Sequence, residues 1–340
     1  MAHLDNPKLP SVHSYVDVPV AVGVEPFSKV PTLLVAASDA TAKVKQYADY
    51  VCTGSNDDVT IEEAINSLPA SGGRVVLSEG NFVLSSSIDI SKSSVSLEGS
   101  GAGTVIKGAI DTSYIKIGYG CGDIKISNLK LVGSDQTSGR GIEAIGRSDA
   151  KVKVTITNCW IYSTYSDAIY LEWADYSLVQ GNFIATPRDA CGIMTYSSAS
   201  CVLSGNVIYS PQFYGIFNTY SPYVAIVGNA IYWPNSHGIY NRSANAVSIV
   251  GNTIYRPEGF GIYNHNSRCC TIVGNTAKAI AGTYGISNNY SENLIALNWV
   301  DAPIHNEAED CVILGNRAPR IENTGYSTQI GNCLGPIPMI

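Results

Sequence analysis

The chain has 340 residues, 45% hydrophobic and only 14% charged, against about 25% charged in an ordinary soluble domain, so a disordered chain is excluded. Lys and Arg number 21 and Asp and Glu 28, a net charge of −7 with no basic run, and nucleic acid is therefore not an expected partner. No stretch reaches the ~18 apolar residues of a membrane span, and Met1–Val16 has neither the basic nor the apolar part of a secretory leader, so no membrane partner and no classical export are expected.

In chain order, residues 1–34 carry Pro7, Pro10, Pro19, Pro26 and Pro31 without periodicity, and read as an extended arm. Residues 35–98 read as a cap with the first coils. Asn56, Asp57 and Asp58 are N-cap candidates. Ile61, Ala64, Ile65 and Leu68 make one apolar helical stripe, stopped by Pro69 and Gly72-Gly73.

From 99 to 340 the sequence repeats. A Gly-Asn pair recurs at Asn182, Asn206, Asn229, Asn252 and Asn275, in steps of 24, 23, 23 and 23, and Asn158 and Asn298 extend the series without the Gly. A Gly-Ile pair recurs half a period away, at Ile193, Ile216, Ile239, Ile262 and Ile286. Between them, VSIVGNTIY and GFGIYN alternate as short strands do. A unit of ~23 residues cannot bury its own apolar side, so the units must stack as a parallel β-solenoid. Steps of 18 and 16, at Asn316 and Asn332, predict tapering terminal coils.

Counting back five residues from the ladder positions gives Cys201, Val224, Val247, Cys270 and Cys311, a column of small fillers. The nine Cys are thus read as reduced thiols that pack the core, with no metal site and no cofactor. Asn at one turn of every coil predicts a ladder of stacked amides. Asn218, Asn241, Asn264, Asn288, Asn306 and Asn323 predict a second one.

The stretch Asn56–Phe82, NDDVTIEEAINSLPASGGRVVLSEGNF, resembles the entry into the pectin-lyase-like superfamily of right-handed parallel β-helices, which includes many phage tailspikes. The resemblance implies an all-β, right-handed parallel β-helix with an N-terminal capping helix, from about Val35 onward. It implies no single activity. Of the motifs of its polygalacturonase-type members, only Ser236-His237-Gly238 is similar to one, the Gly-His-Gly.

The outward face supplies the candidate site. Residues one and three after each repeat Ile share a face. They include Tyr170, Tyr196, Phe217, Tyr240 and Tyr263, expected to stack on sugar rings of a polysaccharide or oligosaccharide. A stabilising role for these stacked rings, or a subunit contact, is the competing reading. Asp167, Glu172, Arg188 and Asp189 form one acid–base group, suited to glycoside hydrolysis by paired carboxylates. His237, Arg242 and His265 form a second, suited to β-elimination from a uronic acid. The alternative is a non-catalytic receptor-binding spike or structural protein of a virus particle. Residues 1–34 are then expected to mediate a homo-oligomer, such as a trimer, or docking to a virion. The expected location is extracellular or on a virion, and a cytoplasmic one stays open.

Overall fold

In the computed structural model, residues 30–133, 137–280 and 282–334 are described. Each repeat contributes three short strands to three parallel sheets. In one coil these are Ser248–Val250, Thr253–Tyr255 and Ile262–His265. The strands join the next coil residue for residue, Ile249 to Ile272, Ile254 to Ala277 and Ile262 to Ile286. The first, second and third sheets contain 14, 12 and 11 strands. The architecture is the parallel β-helix that the repeat predicts.

In this coil one aliphatic residue of each strand fills the core, and Asn264 of the third strand also faces inward. Ile249, Ile254 and Ile262 are fully buried, and the coils on either side place aliphatic residues in the same columns. Coils about 4.8 Å apart therefore build continuous aliphatic ladders rather than isolated clusters. Seven cysteines lie buried among them, Cys201, Cys270 and Cys311 in the expected column with Val224 and Val247.

Both asparagine ladders form. Asn206 Oδ1 accepts the main-chain N–H and the Nδ2–H of Asn182, each at 3.0 Å, and the arrangement repeats through Asn229, Asn252, Asn275, Asn298, Asn316 and Asn332. The shortened terminal coils thus keep the same register. The second ladder runs from Asn218 to Asn323 by Nδ2–H to Oδ1 bonds of 2.7–2.8 Å. Asn158 does not join the first ladder. It is exposed at φ 53°, in the corner position that Gly181 fills one coil later, and Cys159 takes the inward place. Asn suits that corner because it tolerates the left-handed region better than most residues.

The entry differs from the expectation in detail. The strand Thr32–Ala36 pairs with Gly73–Leu77, so the expected arm boundary at residue 34 falls inside a strand, and residues 1–29 lie outside the described residues. A short helix, α1 (Ala42–Tyr47), precedes the expected one, α2 (Asp57–Ser67). Ile61, Ala64, Ile65 and Leu68 bury the stripe of α2 against the first strands. Asn56 makes no side-chain cap. Instead Asp57 accepts the N–H groups of Thr53, Gly54 and Val83 at 2.8–3.2 Å, and Asp58 accepts that of Ser85 at 2.7 Å, which ties the helix start to the neighbouring coil. Among the described residues no helix is long and apolar enough to cross a membrane.

Candidate functional site

The outward column of the third sheet has the predicted register: Tyr170, Met194, Phe217, Tyr240 and Tyr263 are cross-strand partners in turn. A second column lies two residues before each Ile and contains Tyr214, His237, Phe260 and Tyr284. Both columns stack along the solenoid axis. Phe217, Tyr240 and Tyr263 follow one another at 5.0 Å between ring centroids, with interplanar angles of 12° and 8°. Tyr214, His237 and Phe260 do the same at 5.5 and 4.9 Å. The columns meet nearly edge to face, as at His237 and Tyr263, 66°.

This geometry changes the expected role of the rings. Coil spacing lets each ring cover the face of the next, so the faces are used within the protein. What points outward is a row of ring edges and hydroxyls. Tyr170 is buried, 7% exposed, with the Arg140 guanidinium 3.7 Å from its ring centroid, so it offers no open face. Tyr196 lies aside from the stack and meets Tyr220 at 78°.

Within the row, the structure brings together the second predicted group. Tyr240 Oη and His265 Nδ1 are 3.1 Å apart, and Arg242 is the cross-strand partner of His265. Burial and the neighbouring Arg242 charge both hold His265 below its ordinary pKa, so it stands neutral and able to accept a proton. Burial pushes the Tyr240 hydroxyl upward, with Arg242 opposing, so it keeps its proton. His237 accepts the Phe260 N–H at Nδ1, 2.9 Å, and burial lowers its pKa to about 4. It is a neutral member of the stack.

The first predicted group is only partly assembled. Asp167 is buried, and its Oδ1 accepts the Cys191 N–H at 3.0 Å while Oδ2 lies 3.4 Å from Arg140 Nε. Arg140 also holds Glu143 at 2.7 Å, and Glu172 accepts the Tyr170 hydroxyl at 2.8 Å. Burial raises the pKa of Asp167, with the Cys191 N–H and Arg140 opposing. Burial also works against the charge of Arg140, but its bond to Glu143 and the charges of Asp167 and Glu143 outweigh it. Arg188 and Asp189 sit exposed on a turn, and among the described residues neither makes a side-chain hydrogen bond or ion pair with Asp167 or Glu172. Arg140, the hub, was not singled out in the sequence. Its place two residues before Ile142, the register of Asp167 before Ile169, is the signal that marks it. It borders a polar cleft of about 380 Å³ with Ser113, Lys116, Ser138 and Tyr165.

Similar folds are widespread among solved structures. The mannuronan C-5 epimerase AlgE6 A-module of Azotobacter vinelandii superposes with a TM-score of 0.64 at 16% identity, over 83% of this chain and 96% of that one. DFA-IIIase from Arthrobacter chlorophenolicus A6, in complex with GF2, gives 0.65 at 12% identity, over 89% and 90%. Tailspike protein 2 of Escherichia coli O157:H7 bacteriophage CAB120 gives 0.61 at 13%, over 76% of this chain and 36% of the tailspike. These likenesses show the fold. No curated protein matches the chain by sequence.

The family described as periplasmic copper-binding protein (NosD) matches residues 111–301. The donors found here do not fit copper. Thiolate is the form of Cys that binds metal, yet burial pushes Cys159 and Cys201 up to about 12 and Cys270 to about 11. His237 Nδ1 is occupied, and among the described residues no three His, Cys, Asp or Glu side chains gather as a metal group. Since the match spans more than half of its length, the chain belongs to the family described as periplasmic copper-binding protein (NosD), as a β-solenoid in which seven of the nine thiols pack the core while Cys269 and Cys333, against the expectation, are exposed.

Proposed function

We propose that the chain binds a polysaccharide along the outward face of the third sheet, between Asp167 and His265, and cleaves it by β-elimination. The observation that carries this reading is the Tyr240 Oη to His265 Nδ1 contact of 3.1 Å beside Arg242. In a uronate unit, Arg242 would pair with the carboxylate and hold the charge that develops when the α-proton leaves. Tyr240 takes that proton while passing its own to His265, the electron pair forms the new C=C bond, and the glycosidic C–O bond breaks. The leaving oxygen receives the proton back through the same pair. The carboxylates of the Arg140 group are held by Arg140, the Ser113 and Tyr170 hydroxyls and the Cys191 N–H, which favours elimination over hydrolysis by an open carboxylate pair.

The row of hydroxyls over successive coils suits an oligosaccharide better than a single sugar. The mannuronan in the name of one fold neighbour agrees with this, and the tailspike agrees with a virion or extracellular setting. The family description favours the periplasm. The test is cleavage across a panel of uronate-containing polysaccharides, read by unsaturated uronate and by new reducing ends. Tyr240→Phe and His265→Ala are expected to abolish unsaturated product while binding persists. Reducing ends without unsaturation, lost in Asp167→Asn, would instead establish hydrolysis. Binding with neither product would make the protein a receptor-binding spike, and absence of binding would end the polysaccharide reading.

A further inference from the structure

We infer that the corner between the second and third sheets carries a separate binding site for a neutral pyranose ring, built by Trp233, Arg256 and Glu258. Trp233 follows the strand Ala230–Tyr232 at φ 49°, and the left-handed corner turns its ring outward, 38% exposed. Tyr209 and Tyr255 brace it at centroid distances of 4.8 and 5.5 Å, with angles of 65° and 86°. These edge-on contacts fix the plane of the indole without stacking a second ring flat upon it.

Arg256 holds the same corner one coil later, at φ 52°. With Trp233, Pro234, Asn235, Glu258 and Ile280 it encloses about 260 Å³. Pro234 is buried and Ile280 exposed, so the lining has an apolar part. Arg256 and Glu258 are both exposed, and among the described residues neither is in an ion pair.

The chemistry follows from that lining. A pyranose has apolar C–H faces and a rim of hydroxyls that both donate and accept. The indole and the apolar lining match the faces. Arg256 supplies only donors and Glu258 only acceptors, so together they match the rim. Their charges cancel, which selects a neutral sugar over a strongly anionic one. This site shares no residue with the third-sheet site and does not depend on the reading given for it.

The test is isothermal titration calorimetry of the full chain, titrated with cellohexaose, xylohexaose, mannohexaose and chitohexaose. At least one is expected to give a saturable change. Trp233→Ala should weaken that binding at least about tenfold, the scale of losing a central aromatic anchor. Glu258→Gln, at an exposed position, should weaken it with unchanged melting, which covers the case of a Trp233→Ala variant that fails to fold. No saturable change with any of the four, or parental affinity in Glu258→Gln and a folded Trp233→Ala, would overturn the inference.

Discussion

Asn252 shows what one amide contributes to this fold. Its Oδ1 accepts two N–H groups of Asn229 at 2.9 and 3.0 Å, and its Nδ2 donates to Ile226 O at 2.8 Å. Asn252→Ala leaves those buried groups unpaired, at a cost of about 1–3 kcal/mol for each group left without a partner, so a clearly lowered denaturation midpoint is expected. His237 gives the molecule a pH dependence. Its folded pKa is lowered from 6.5 to about 4, so between those values the unfolded chain binds a proton that the folded chain refuses. Its contribution to stability is full above pH 6.5 and is lost as pH falls towards 4; His265, also lowered, acts in the same direction. Denaturation followed across that range should show falling stability in the parent and a flatter profile in His237→Phe, whose ring keeps the stack.

At the scale of the coil, the two glycine pairs have different causes. Before Ile239, a Cβ on Gly238 would meet Ile254 Cγ2 at 2.5 Å and Gly261 O at 2.6 Å, so close approach between coils demands glycine. Before Asn252, a Cβ on Gly251 would meet nothing within 4 Å, and the demand is the left-handed corner, φ 64°. Gly238→Ala is therefore expected to cost about 1–3 kcal/mol by overpacking. Gly251→Asn should be close to neutral, because Asn158 already occupies the equivalent corner. Equal melting losses in the two variants would contradict this division. The aromatic columns belong to the same scale: Tyr240 is sandwiched by Phe217 and Tyr263, so truncating it removes packing as well as a hydroxyl, and Tyr240→Phe is the informative change.

At the scale of the molecule, the solenoid from Pro31 onward forms a unit of its own, with α2 packed against its first strands. The arm expected over residues 1–34 is read as an assembly element, of which residues 1–29 can be removed without touching the strand Thr32–Ala36. Deleting them is expected to leave the melting temperature nearly unchanged while removing oligomers or particle attachment. A matching sedimentation profile before and after deletion would refute that role.

The sequence by itself determined the periodic part of this protein. Ile at fixed intervals, Gly-Asn and Gly-Ile pairs and the outward columns all follow from local period and coil length, because parallel in-register stacking carries each residue onto its equivalent one coil away. Helix α2 was equally legible from its stripe and its stop residues. Tertiary structure decided the rest. Whether Asn158 or Cys159 faces inward depends on one corner residue, which spacing alone does not resolve. Arg140 became a hub only when the adjacent coil brought Asp167 and Tyr170 to it, beside Glu143 of its own coil. The aromatic strip was visible as a list, but only coil spacing and side-chain rotation decided that its ring faces cover one another. Sequence period specifies which residues share a column, and the orientation of side chains within a column is settled by packing between neighbouring coils.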